Sequence, residues 1–259
     1  MRFAACVEYD GTQYYGWQIL GHAPSVQEQV EKALSSIAAH PVNVVCSGRT
    51  DSGVHAVGQI IHFDTEAQRD PRGWLFGTNS KLPNDIALRW VIPIADDFHA
   101  RFSAVARRYR YIITNRLARP AAFQNKTAWV YAPLNDQAMH QAAQVLIGEY
   151  DFSSFRAAGC QARHARREIQ ELKIWRSGEM VYVDIKANAF LHHMVRNIVG
   201  SLLQVGTGEK SIEWIAELLA LQDRTKAGMT APAQGLYFVQ AYYPERFQLP
   251  EPSSAPILM

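Results

Sequence analysis

Apolar positions recur along the chain with two different periods. Near-continuous apolar runs at residues 2–9, 42–46, 57–63 and 86–92 read as buried strands. Ser25-Val26-Gln27-Glu28 forms a capping box that opens a helix. Val26, Val30, Ala33, Leu34 and Ile37 then fall on one helical face. Asp70-Pro71 supplies an N-cap followed by proline at the first helical position, predicting a helix with Trp74 and Leu75. The resulting order is β-α-β-β-α-β, the ferredoxin-like arrangement.

The second half repeats this order loosely. Tyr109 to Ile113 reads as a strand, residues 135–147 as a helix with Met139, Ala142, Ala143, Leu146 and Ile147 on its apolar side. Strands are expected at 168–176 and 180–187 around the turn Ser177-Gly178. Helices are expected at 190–205 and, after a Ser211 cap, at 212–221, with a last strand at 236–239. The fold class is therefore α+β: two ferredoxin-like units, mostly antiparallel sheets flanked by helices, with an active-site cleft between them. The expected boundaries are 1–104, 105–248 and a loose Pro- and Ser-rich tail at 249–259.

Between the second and third strands lies Ser47-Gly48-Arg49-Thr50-Asp51-Ser52-Gly53-Val54-His55-Ala56. A plain hairpin needs only two turn residues. These ten hold an Asp, an Arg, a Thr, a His and two glycines, so a charged side chain sits on a rigid two-strand base. The tripeptide Asp51-Ser52-Gly53 alone is ordinary turn chemistry. An aspartic protease would need a second such carboxylate, and no second Asp-Ser-Gly occurs.

Length and composition narrow the class. At 259 residues, 48% hydrophobic and 19% charged, the chain suits roughly two globular domains. No apolar run reaches the ~18 residues of a membrane helix, and the N-terminus opens on a strand pattern with no secretory signal. Cys6, Cys46 and Cys160 have no metal or redox spacing and fit reduced, cytoplasmic thiols. The net charge of +2 is small, but its distribution is uneven. Between Asp97 and Asp136 there are no acids and seven bases: Arg101, Arg107, Arg108, Arg110, Arg116, Arg119 and Lys126. Between Asp151 and Glu168 the same holds for Arg156, Arg163, Arg166 and Arg167. Phe102, Tyr109, Tyr111, Phe123 and Phe155 lie among them. Basic and aromatic residues interleaved suit a nucleic acid offering phosphates and unstacked bases.

The ten-residue loop closely resembles the signature of the tRNA pseudouridine synthase A (TruA) family, which usually reads Gly-Arg-Thr-Asp-Ala-Gly-Val-His; Ser52 departs from it. Tyr9-Asp10-Gly11 with Tyr15-Gly16-Trp17-Gln18, the basic-aromatic strand Arg107 to Tyr111, the block Asn188 to Asn197, and Gly235-Leu236-Tyr237 resemble further family blocks. Where the family often has a second Gln, this chain has Ile19-Leu20.

The resemblance implies an isomerase that converts uridines 38, 39 and 40 of the tRNA anticodon arm to pseudouridine. It implies no metal and no cofactor, and a homodimer that cradles tRNA. It makes Asp51 the essential carboxylate, Arg49 a residue that displaces or holds the flipped nucleotide, and Tyr109 a group against the target base. Arg196 becomes the cation that keeps Asp51 charged, and Leu236 an apolar wall. Arg107, Arg108, Arg110, Arg156, Arg163 and Arg166 are candidate phosphate grips. Tyr111 reads as core. His192-His193, if helical, would point about 100° apart and form no two-ligand face. The competing class is a non-catalytic RNA-binding protein, which gives no reason for an aspartate in this loop.

Overall fold

The structure, a computed structural model, describes residues 1–250. The chain divides into two compact units: Met1–Val105 with the segment from Tyr237 on, and Ala106–Leu236. The first unit runs β1 (Arg2–Tyr9), α1 (Val26–Ala38), β2 (Val44–Cys46), β3 (His55–Asp64), α2 (Pro71–Asn79) and β4 (Ile86–Pro93). That is the expected βαββαβ order. β1 is central, antiparallel to both β3 and β4. β2 pairs antiparallel with the far half of β3, opposite residues 61–63.

Both helix starts form as their residues dictate. Ser25 Oγ accepts from the Glu28 N–H at 3.3 Å, and the Asp70 carboxylate caps α2 through the Gly73 N–H. Trp74 on the buried face of α2 joins an aromatic cluster with the sheet. Phe3 and Phe63 stack at 5.5 Å, and Trp74 lies 5.3 Å from Phe63. Burying such rings dominates core energetics.

The second unit contains β5 (Ala106–Asn115), β6 (Ala128–Val130), α3 (Asp136–Ala143), β7 (Gly148–Asp151), β8 (Arg166–Ser177), β9 (Met180–Ala187), α4 (Met194–Gly206) and α5 (Trp214–Leu221). Its antiparallel order is β5-β9-β8-β7, with β6 parallel to β5. The α+β class and the antiparallel character therefore stand. Two strands were not foreseen. β6 is too short to show a period, and β7 is the half-exposed edge Gly-Glu-Tyr-Asp. The helix expected from 190 begins at Met194, because His193 adopts a left-handed φ of 58°. The helix expected after Ser211 begins at Trp214, with Ser211 accepting through its carbonyl from the Trp214 N–H.

β10 (Leu236–Tyr242) follows the second unit in the chain, yet from Tyr237 on it groups with the first. Tyr237 and Phe238 pair in parallel with His55 and Ala56 of β3. A strand's partner is set by backbone pairing, which chain order does not reveal. The expected tail lies, from residue 251, outside the described residues.

Alternation on β5 separates two faces as the strand period requires. Tyr111 is fully buried and donates to the Pro232 carbonyl at 2.7 Å, so it is core. On the opposite face Arg110 makes two bonds to Asp184 Oδ2, at 2.9 and 2.7 Å, and Arg108 reaches both Asp184 and Glu171. Asp184 is 2% exposed. The Arg110 guanidinium also lies 5.0 Å from the Trp175 ring centroid. Asp184→Asn keeps the shape but strands two arginines against a buried face. Urea unfolding is expected to show a loss of about 3–5 kcal/mol, against the ~0–1 kcal/mol of a surface pair.

In the first unit His62 is buried, and its Nδ1 accepts from the Ala100 N–H at 3.1 Å. Burial, with the Arg2 guanidinium and His99 nearby, pushes the imidazole down from 6.5 to about 4. The folded protein therefore keeps it neutral where the unfolded chain takes up a proton. Its stabilising contribution is intact above pH 6.5 and is lost as pH falls toward 4. Between those values stability is expected to fall by up to about 1.4 kcal/mol per pH unit from this group, a slope that His62→Gln should flatten in denaturant titrations.

Candidate active-site loop

The Asp51 loop is fixed at its start, its centre and its end. At the start Gln59 of β3 acts as a pincer. Its Oε1 accepts from Ser47 Oγ at 2.5 Å and from the Gly48 N–H at 3.3 Å, and its Nε2 donates to the Gly48 carbonyl. Ser47 N–H also donates to the Ile60 carbonyl at 2.8 Å, which continues the ladder one residue beyond β2. Gln59 is fully buried, so its amide is committed to this task.

The centre is held by the segment after β1. Thr50 Oγ1 lies 2.7 Å from the Tyr9 hydroxyl, and the Thr50 carbonyl accepts from the Trp17 N–H at 3.0 Å. On the other side of Asp51, the Tyr14 carbonyl accepts from the Gly53 N–H and the Ser52 hydroxyl, both at 3.3 Å. Asp51 closes the turn itself, its carbonyl accepting from the Val54 N–H at 3.2 Å. Both neighbours of Asp51 are thus anchored by the aromatic segment, whose Tyr14 and Trp17 are themselves buried.

Two glycines make that approach possible. A Cβ on Gly16, whose φ is +96°, would stand 2.6 Å from the Thr50 carbonyl oxygen. One on Gly11 would stand 2.0 Å from the Val54 carbonyl oxygen. No side chain fits either contact. At the loop's exit the buried His55 accepts from the Gly11 N–H at 3.1 Å and stacks on Tyr237 at 4.7 Å.

Asp51 is half-buried, Arg49 and Ser52 are exposed, and Thr50 is buried. The loop therefore presents Arg49 and Asp51 on a fixed backbone. Cys46, just before it, is buried, which pushes its thiol up to about 11 against the opposing charges of Arg49 and Arg101. A thiol so placed is packing and not a nucleophile.

In the second unit Tyr109 is half-buried on β5 with Phe190 edge-on at 5.0 Å. Arg196 is half-buried near the start of α4 and donates through Nε to the Ala231 carbonyl at 2.8 Å. Leu236 is buried. Around Arg196 lies a network that sequence reading did not single out. Asn197 is buried and donates to the Phe155 carbonyl at 2.9 Å, while its Oδ1 accepts from Arg224 at 3.0 Å and Thr230 at 2.6 Å. It ties α4 to the segment that receives Arg196. His192 and His193 precede α4, with ring centroids 3.9 Å apart, so the divergence expected of helical neighbours does not apply.

The candidate phosphate grips divide into two groups. Arg108 and Arg110 hold Asp184, Arg107 donates to the Asn188 carbonyl at 3.0 Å, and Arg156 donates to the Cys160 and Ala162 carbonyls, both at 2.8 Å. Arg163 and Arg166 are exposed, the latter 3.2 Å from an equally exposed Glu149.

A family model described as tRNA pseudouridine synthase matches residues 5–103 and 142–244. The chain belongs to that family. The tRNA pseudouridine synthase A of Hydrogenovibrio crunogenus is 61% identical over 244 residues, covering 94% of this chain and 93% of that one. Its counterparts in Stenotrophomonas maltophilia and Xanthomonas euvesicatoria are 59% and 58% identical, each covering 96% of this chain and 98% of theirs. A solved Cbf5-Nop10-Gar1 complex aligns with a TM-score of 0.36 at 9% identity, over 91% of this chain and 57% of that one, too loosely to carry an argument. The matched blocks of the family model include the Asp51 loop and Arg196 but omit β5, which bears Tyr109.

Gln59→Leu removes the pincer while filling similar volume. Turnover on tRNA is expected to fall about 10- to 100-fold, as displacement of a reacting group by roughly an ångström does. Steady-state kinetics should show this in kcat with KM little changed.

Proposed function

We propose that the chain isomerises uridines 38, 39 and 40 in the anticodon arm of tRNA to pseudouridine, with Asp51 as the catalytic carboxylate. What supports it most directly is the Asp51 loop, a charged side chain between two anchored neighbours inside a family signature. The reaction breaks the N1–C1′ bond, turns the uracil and joins C5 to C1′; a proton leaves C5 and one is gained at N1. Atoms and electrons balance within the nucleoside, so no redox partner is required.

A stacked and paired uridine hides these atoms, so the nucleotide leaves the stack first. Arg49 is exposed two residues before Asp51 and is suited to hold the displaced nucleotide or its phosphate. Tyr109 is the group assigned to the target base, Leu236 to the apolar wall, and Arg196 to the counter-ion of Asp51; these assignments rest on the family resemblance. Among the basic candidates, exposed Arg163 and Arg166 suit phosphate contact best. Arg156 braces the stretch that carries Arg163 and so acts on RNA through it. A cytoplasmic homodimer completes the proposal.

The test is tritium release from C5-labelled uridine in tRNA. Asp51→Ala is expected to lower release by about 10³-fold or more while tRNA affinity stays within about threefold. Arg196→Gln should lower it too, and adding it to Asp51→Ala should cost little more, the mark of two groups acting as one. Release unaffected by Asp51→Ala would remove Asp51 from the chemistry, and a wild-type chain that binds tRNA without releasing tritium would leave an RNA-binding protein in place of an enzyme.

A further inference from the structure

Phe102 is 75% exposed, yet the turn that carries it is firmly tied. Arg2 donates to the Asp96 and Phe98 carbonyls at 2.6 and 2.8 Å, and the Tyr243 hydroxyl donates to the Ala100 carbonyl at 2.6 Å. His99 Nδ1 accepts from the N–H groups of Arg101 and Phe102, at 3.2 and 3.1 Å. Ser103 closes the turn with the His99 backbone in both directions. An exposed ring on a mobile loop needs no explanation, since single surface apolar residues are common. One held out on a braced turn is different.

The surroundings of the ring complete the picture. The His99 imidazole stacks under Phe102 at 4.3 Å and 28°, and the Arg101 guanidinium lies 5.6 Å from its centroid. The ring is thus backed by an aromatic and has a cation over it, yet three-quarters of its surface stays open to solvent. The platform also stands beside the signature loop. His62, which fixes Ala100, pairs with Val45 of β2, one residue before Cys46. The Cys46 thiol in turn feels the charges of both Arg49 and Arg101.

We propose that Phe102, backed by His99 and flanked by Arg101, is a stacking site for one unpaired RNA base close to the nucleotide that enters the Asp51 loop. This rests on the reading of RNA as substrate. A π-face accepts any base, and the adjacent guanidinium serves either the same base or its phosphate, the combination that binds single-stranded nucleic acid without sequence preference. The site would hold the displaced strand open, which a flipping enzyme must do while the target nucleotide is out.

The experiment measures tRNA affinity of the full chain at fixed salt for Phe102→Tyr, Phe102→Leu and Phe102→Ala. Loss of one stacked base weakens binding about 5- to 100-fold. Leu and Ala are expected to show that loss, and Tyr to stay within about twofold. Arg101→Gln should reduce the salt slope of binding by about one. The thermal midpoint should not move, because the ring is mostly in water. Leu binding as well as Phe would overturn stacking in favour of a plain apolar contact. Unchanged tRNA affinity for Phe102→Ala, with a dimer dissociating in sedimentation, would assign the ring to a contact between copies. The readout is binding, not turnover. A wild-type chain that binds tRNA but releases no tritium therefore ends the enzyme reading and leaves this result standing.

Discussion

The backbone contact between the Tyr9–Trp17 segment and the Asp51 loop is the constraint on which the site depends. A carboxylate proposed to act on a nucleoside must be aimed, and aiming is a backbone matter before it is a side-chain one. Thr50 and Ser52 are both tied to the same aromatic segment, through Tyr9, Trp17 and Tyr14. The contact brings main chain against main chain, which is why Gly11 and Gly16 occupy the closest points. Tyr14 and Trp17 spend their rings on burial and their backbone groups on the loop. The segment is a clamp, and its aromatic content follows from the need to anchor that clamp in the core.

A charge count along the chain is a poor guide to what the charges do. The window between Asp97 and Asp136 contains no acid in sequence, but β9 brings Asp184 opposite Arg110. Pairing across a sheet thus neutralises two arginines that look unopposed along the chain. The same holds for Arg156, which satisfies carbonyls of its own loop. Arginine suits both tasks because one planar fork serves a carboxylate, a carbonyl or a phosphate equally well. Exposure then distinguishes them: Arg49, Arg101, Arg163 and Arg166 face solvent, whereas Arg108 and Arg110 lie against an acid on the sheet face.

What could be read from the sequence follows the range of the interactions involved. α1 and α2 were legible because a cap, a helical stripe and a proline lie within a few residues of one another. β1 to β4 were legible as apolar runs, β5 from its strand pattern, and β8 and β9 from the turn Ser177-Gly178 between them. β6 and β7 were not, since three or four residues held by an edge carry no period. The start of α4 was misplaced because a left-handed His193 breaks an otherwise helical apolar run, and nothing local announces it. The loop bearing Asp51 was found from its composition and its resemblance. Its supports, Gln59 and Tyr237, were not, because each acts across a distance in sequence. Asn197 sat inside a block already singled out, but its partners Arg224 and Thr230 lie 27 and 33 residues away.

β10 shows what such distance achieves. Its first residues follow the whole second unit, yet Tyr237 stacks on His55 at the exit of the Asp51 loop and pairs with it in the ladder. His55 in turn accepts from Gly11, one of the two closest points of the clamp. The loop's full set of contacts therefore needs the chain to return from residue 106 through 236. A site completed by a non-local strand is slow to assemble because loop closure must be paid before the contact forms. In exchange, its rigidity does not depend on the short loop alone. Ten residues with two glycines would otherwise be free to move, and it is the pairing of β3 with β10, together with Gln59 and the aromatic clamp, that converts them into a fixed mount for Asp51.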